Sequence, residues 1–209
     1  MRKVSLAICA LVVLAAACNS TPEAVPTEAP LNLSNDDLAG AVLETREVGD
    51  EWTKETGPRP STVQIGGRVG PANIEPTNAA ATSAFVKKDA SGYISNTVYL
   101  LQSETAARAV MDAHIEFDAT NTWKQDRDDG GEASYERLGR VPGVANLGDE
   151  LYTARLKATI RTPSDESVER TIDYIAYRFG PLLAFVVTQD VEAGTYARRL
   201  ESNVARLQG

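Results

Sequence analysis

Catalysis needs a nucleophile, a base or a metal cage, and this chain is sparing with all three. His114 is its single imidazole. As a general base it would need a nucleophile in reach and a carboxylate to orient it. No motif around it supplies either. It stands with Met111 and Phe117 at helical spacing, so a hydrogen-bonded, half-buried histidine on a helix's inner stripe accounts for it. One histidine and no spare thiol exclude zinc, which wants nitrogen and sulfur ligands, and leave only carboxylates for harder ions. The densest of these is Asp126-Arg127-Asp128-Asp129-Gly130-Gly131-Glu132. Counted from Asp126, the calcium-loop template is met by Asp126, Asp128 and Gly131 and missed at Gly130 and Arg137. Asp126 and Asp128 are thus weak metal candidates in what reads first as a solvated turn. Lysine-activated serine chemistry finds no Ser-x-x-Lys.

Ile65-Gly66-Gly67-Arg68-Val69-Gly70-Pro71 is rich in glycine but fits neither phosphate-loop nor dinucleotide spacing. The plain reading is a turn region that needs positive φ. The functional reading makes Gly66, Gly67, Arg68 and Gly70 a flap over a ligand cleft. Arg155, Lys157 and Arg161 face Glu169, Thr171 and Asp173 across a turn. Opposite charges on neighbouring strands predict a salt-laced, solvent-facing sheet surface, with an anion groove as the sharper alternative.

The strongest single signal lies at the N-terminus. Met1-Arg2-Lys3 precedes an unbroken small and apolar run, Val4 to Ala17, too short for a bilayer span of about 20 residues. Leu14-Ala15-Ala16-Ala17-Cys18 resembles a bacterial lipobox, with Cys18 the lipidated residue of the mature chain. Cys9 leaves with the signal peptide, so Cys18 would be a lone exposed thiol in an oxidising compartment; thioether linkage to a diacylglycerol removes that liability. Two acyl chains anchor stably where one does not. The expected divisions are a signal peptide over 1–17, a lipidated, disordered Pro/Thr/Glu tether over 18–33 and one domain over 34–209. Without Arg2 and Lys3 the chain keeps 19 basic against 29 acidic residues, a net charge of −10. That argues against nucleic acid as a partner. The expected place is the extracytoplasmic face of the cell membrane.

These residues need elements to hold them. Ser34, with Asp37 in a capping box, predicts a helix from Asn35 to about Val48, and Trp52 just beyond it should pack onto the core. Residues 56–79, with four prolines and four glycines, read as a long irregular crossing. Strands are expected over 82–88 and 93–101, then a helix capped by Ser103, then a strand over 133–141. The clearest alternation places Tyr152, Ala154, Leu156, Ala158 and Ile160 on one side of a strand. Two more strands follow over 168–179 and 182–187, the last apolar on both faces and so covered on both. Tyr196, Leu200, Val204 and Leu207 line a closing helix. The expected fold is α+β, a mainly antiparallel sheet of about six strands packed with about three helices in a single domain.

Leu43 with Asp50-Glu51-Trp52, Gly148-Asp149-Glu150 opening a strand, and Tyr177-Arg178-Phe179-Gly180 before the apolar strand carry a resemblance. The chain resembles actinobacterial extracytoplasmic sensor-type lipoprotein domains, related in architecture to the external sensor domain of a mycobacterial serine/threonine kinase. The resemblance implies a non-catalytic α+β module with a cleft for a small ligand and no cofactor. The function expected is therefore a membrane-anchored binding or sensing module of the cell envelope, not an enzyme. A protein-interaction lipoprotein docking on an envelope complex is the alternative, and an envelope hydrolase the third reading.

Overall fold

Period-two alternation dominates the C-terminal half of the sequence, and the chain folds there into one long antiparallel meander. The computed structural model describes residues 31–55, 64–65, 68–69, 79–117, 122–126, 131–162, 164 and 166–208. Its sheet holds eight strands: β1 (Trp52–Glu55), β4 (Ala79–Lys87), β5 (Tyr93–Leu100), β6 (Thr122–Asp126), β7 (Glu132–Gly139), β8 (Glu150–Arg161), β9 (Ser167–Phe179) and β10 (Leu182–Gln189). A separate two-stranded ribbon pairs β2 (Gln64–Ile65) with β3 (Arg68–Val69). The helices are α1 (Asn35–Ala39), α2 (Thr45–Val48), α3 (Glu104–Phe117) and α4 (Gly194–Ala205). Across the sheet the order is β1-β4-β5-β10-β9-β8-β7-β6, every neighbour antiparallel. The α+β expectation holds; the counts of six strands and three helices become eight and four. Short β1 and β6 add the extra strands at the two margins of the sheet, where four or five residues leave little periodicity to read.

The fourth helix comes from a break in the first. Ser34 and Asp37 form the expected capping box, Asp37 Oδ2 accepting from the Ser34 amide at 2.7 Å. Instead of running to Val48, the helix stops at Gly40. The next residues are held by the sheet: the Leu43 amide donates to Asn96 Oδ1 at 2.9 Å, and Ser83 Oγ donates to the Leu43 carbonyl at 2.9 Å. Asn96 Nδ2 donates in turn to Ser83 Oγ at 2.8 Å, so two buried sheet residues tie loop 40–44 down at Leu43. The Ala41 and Val42 amides still reach the Leu38 carbonyl, and from Leu43 on the tertiary bonds take the place of the helical ones.

Two apolar clusters flank the sheet. On one face Leu38, Leu43, Val48, Trp52, Leu200 and Val204 pack over Phe85, Ile94, Val98, Ile175 and Val186. Leu31 and Leu33 rest on this cluster, so contact with the domain begins before Ser34. On the other face Ala107, Val110 and Met111 of α3 cover Ala80, Tyr99, Ala176, Leu183 and Phe185. Each fully buried Leu or Val side chain contributes about 1.5–3 kcal/mol. Ser103 caps α3 as expected, its Oγ accepting from the Ala106 amide at 3.1 Å. Strand β10 is thus covered on both sides, as its apolar run requires. Among the described residues no helix is long and apolar enough to cross a membrane.

Candidate functional site

Strand β8 is longer than the partner on its outer side. Its register with β7 starts at Arg161 opposite Glu132 and ends at Arg155 opposite Gly139, with an irregularity between Arg137 and Gly139. Gly139 has φ +134°, which a glycine adopts without strain and which turns the chain out of the sheet. On its inner side β8 stays paired with β9 as far as Glu150 opposite Arg178. From Leu151 to Ala154, therefore, β8 has β9 on one side and, among the described residues, no paired strand on the other. Residues 140–149 swing away and return, and between them and the strand lies a groove of about 630 Å3. Arg137, Arg140 and the continuous stretch Val144 to Thr153 line it.

The loop returns through a crowded anchor. Gly148 has φ +59°, and a Cβ there would collide with the Arg178 carbonyl oxygen. The Gly148 amide donates to Glu201 Oε1 at 3.0 Å and the Asp149 amide to the Arg178 carbonyl at 2.8 Å. Asp149 Oδ2 accepts from the Gly180 amide at 2.8 Å. Asn146, also left-handed at φ +57°, belongs to a residue type that tolerates that region.

The acids at this end of the sheet are already engaged. Arg178, 5% exposed, donates to Glu150 Oε2 at 2.7 Å and to Glu104 Oε1 at 3.1 Å, with Asp149 Oδ2 at 3.7 Å. Burial works against the Arg178 charge; the bond to Glu150 and the three nearby carboxylates outweigh it and raise its pKa above the ordinary guanidinium value. Arg140 differs. It is exposed and makes no ion pair or hydrogen bond among the described residues. Arg198 reaches the 140–149 loop from α4, donating to the Gly143 carbonyl at 3.4 Å.

The other residues singled out from sequence scatter over the molecule. Asp126 ends β6 opposite Glu132, and Glu132 to Arg137, the second half of the calcium-loop window, run in strand β7. Asp128 lies outside the described residues, as do Gly66, Gly67, Gly70 and Cys18. Arg68 stands in β3 opposite Ile65, so the stretch expected to be irregular contains a ribbon, and its first strand meets α3. His114 is in α3 and its side chain falls outside the description. Among the described residues no three His, Cys, Asp or Glu side chains group to hold a metal.

The charged row on β8 and β9 forms as expected, with one correction. Arg155 donates to Asp173 twice, at 2.6 and 2.7 Å, and Lys157 Nζ lies 2.5 Å from Glu169. Asp173, however, is 1% exposed, so this end of the row is core-facing rather than solvent-facing. The hydrogen bonds from Arg155 balance its buried carboxylate and raise the Arg155 pKa.

No family model and no curated protein matches the sequence. The fold does match: the α+β architecture implied by the resemblance is the one observed. The extracellular domain of PknH from Mycobacterium tuberculosis superposes with a TM-score of 0.55 at 9% identity, covering 86% of this chain and 99% of that one. An uncharacterized protein from Mycobacterium smegmatis aligns at 11% identity with a TM-score of 0.45, over 82% of this chain and 97% of its own. At such identities the likeness is one of fold.

None of the groove residues is assigned to binding by sequence, although Gly148-Asp149-Glu150 carries part of the resemblance and loop signals surround the rest. Pro142-Gly143 and Gly148 punctuate the chain between two strands. What the sequence conceals is where β7 parts from β8, because that depends on a bulge.

Proposed function

We propose that this chain is a lipid-anchored extracytoplasmic lipoprotein whose domain binds a ligand in the β8 groove and performs no chemistry on it. The groove carries the reading. Its volume suits a ligand, yet its two carboxylates, Asp149 and Glu150, already accept bonds from the Gly180 amide and Arg178. A carboxylate committed in this way recognises or supports; it is poorly placed to take a substrate proton. The lipobox-like Leu14 to Cys18 and the proline-containing segment after it support a domain held off a membrane at its outer side.

Both halves are testable on the full chain produced in an actinobacterial host. Palmitate should label the wild type and not Cys18→Ser; equal label in both overturns the anchor. Native mass spectrometry of detergent-extracted protein should show a bound mass that Ala145→Trp, which fills the groove from its exposed rim, removes. A spectrum unchanged by the substitution overturns the groove as the binding site.

A further inference from the structure

Resting on the groove as the binding site, we infer that its ligand is a polypeptide: an extended segment bearing an acidic side chain, added to the sheet beside β8 where β7 has left it.

The first reason is backbone geometry. β8 runs on from Arg155 to Glu150 after β7 departs, about 17 Å at ~3.3 Å per residue. Along such a stretch every second residue turns its N–H and C=O away from the inner partner, here β9. The groove opens onto this run, and Leu151 and Thr153 form part of its wall. A small molecule meets one or two such groups, whereas an extended peptide meets the whole row and lets pockets read its alternate side chains. About five residues fit before the peptide would run into the end of β7.

The second reason is the opposite wall. Residues 144–147 stand across the groove, held from one end by Gly148 and Asp149 and near the other by Arg198 on Gly143. Val144 and Leu151 offer apolar contacts to one side of an incoming strand. An edge kept apart from its own loop is unusual, since proteins ordinarily cover or blunt such edges.

The third reason is charge. Along the wall Arg137 and Arg140 match Asp149 and Glu150 in number, and Arg178 contacts both acids from behind while Arg108 pairs with Glu104. Arg140 is exposed and uncommitted, and Arg198 spends a single long bond on a carbonyl. Arg108, Arg137, Arg140 and Arg178 against the three carboxylates Glu104, Asp149 and Glu150 leave one positive charge at the groove, in a chain whose net charge is −8 overall. An acidic side chain finds a partner there; a lysine meets an arginine.

The test uses full-length protein in detergent and three fluorescein-labelled hexapeptides read by anisotropy: Val-Thr-Val-Glu-Val-Thr, the same peptide with Lys for Glu, and the Glu peptide N-methylated at alternate amides. The Glu peptide should bind about tenfold more tightly than the Lys peptide. N-methylation should abolish binding, and Arg140→Glu should reverse the Glu-over-Lys preference. Equal binding of the Glu and Lys peptides, or indifference to N-methylation, overturns the inference. So does binding that appears only once residues 19–30 are deleted, because the occupant would then be this chain's own tether. If no peptide binds while the Ala145→Trp-sensitive mass persists, the peptide inference fails and the groove reading stands; if that mass is absent too, the groove reading itself fails.

Discussion

Two loops lie against this sheet in opposite ways. Residues 40–44 are tied down in the middle: Asn96 and Ser83, both buried in the sheet, take the Leu43 amide and carbonyl. Residues 140–149 pack Val141, Val144 and Leu147 onto the core, but among the described residues their backbone is hydrogen-bonded only near the ends, through Gly148 and Asp149 at one and Arg198 at the other. The first loop closes the core over Phe85, Ile94 and Val98. The second leaves a groove beside a strand edge. A loop whose central backbone groups find buried side-chain partners seals the sheet beneath it, and one held at its ends does not.

The contrast can be broken from either side. Asn96→Ala removes the acceptor for Leu43 and the donor to Ser83 together, leaving buried polar groups unmatched. It should cost about 3 kcal/mol, read from urea unfolding midpoints at constant m-value. A loss below about 1 kcal/mol would mean that Leu43 is held by packing alone. Gly148→Ala acts on the second loop, where the added Cβ must displace the Arg178 backbone from a left-handed position. We expect about 2 kcal/mol of destabilisation and loss of the groove-bound mass. Unchanged stability would show that the return of the loop is soft, and that the groove's width is not fixed by this anchor. Arg140→Ser should be the mildest, shifting stability by no more than about 0.5 kcal/mol while erasing the preference for acidic peptides. A larger change in the unfolding midpoint would reveal that Arg140 supports the loop, and its charge would then no longer be spare.

Much of the scaffold was legible because its signals are local. Tyr152, Ala154, Leu156, Ala158 and Ile160 share a face by simple alternation, and their cross-strand partners on β9 follow from a short turn. Ser34 and Ser103 announce helix starts within one turn of themselves. The row of Arg155, Lys157, Glu169 and Asp173 was visible as opposed charges, but not that Asp173 would be buried, since burial depends on what crosses above it. The helix expected through Val48 failed at Gly40 for the same kind of reason: the residues that outbid the helical bonds, Ser83 and Asn96, lie about 40 and 53 positions away.

Sequence alone determined the apolar, lipobox-like stretch ending at Cys18, the acidic balance, the antiparallel α+β class and the doubly covered β10, because composition, period and caps are written within a few neighbouring residues. Tertiary structure alone decided that β7 leaves β8 at Gly139, that Arg178 gathers Glu104, Asp149 and Glu150, and that Arg140 stands unclaimed beside an open strand. Each of those outcomes is a competition among groups far apart in the chain, and only the folded chain brings the competitors together.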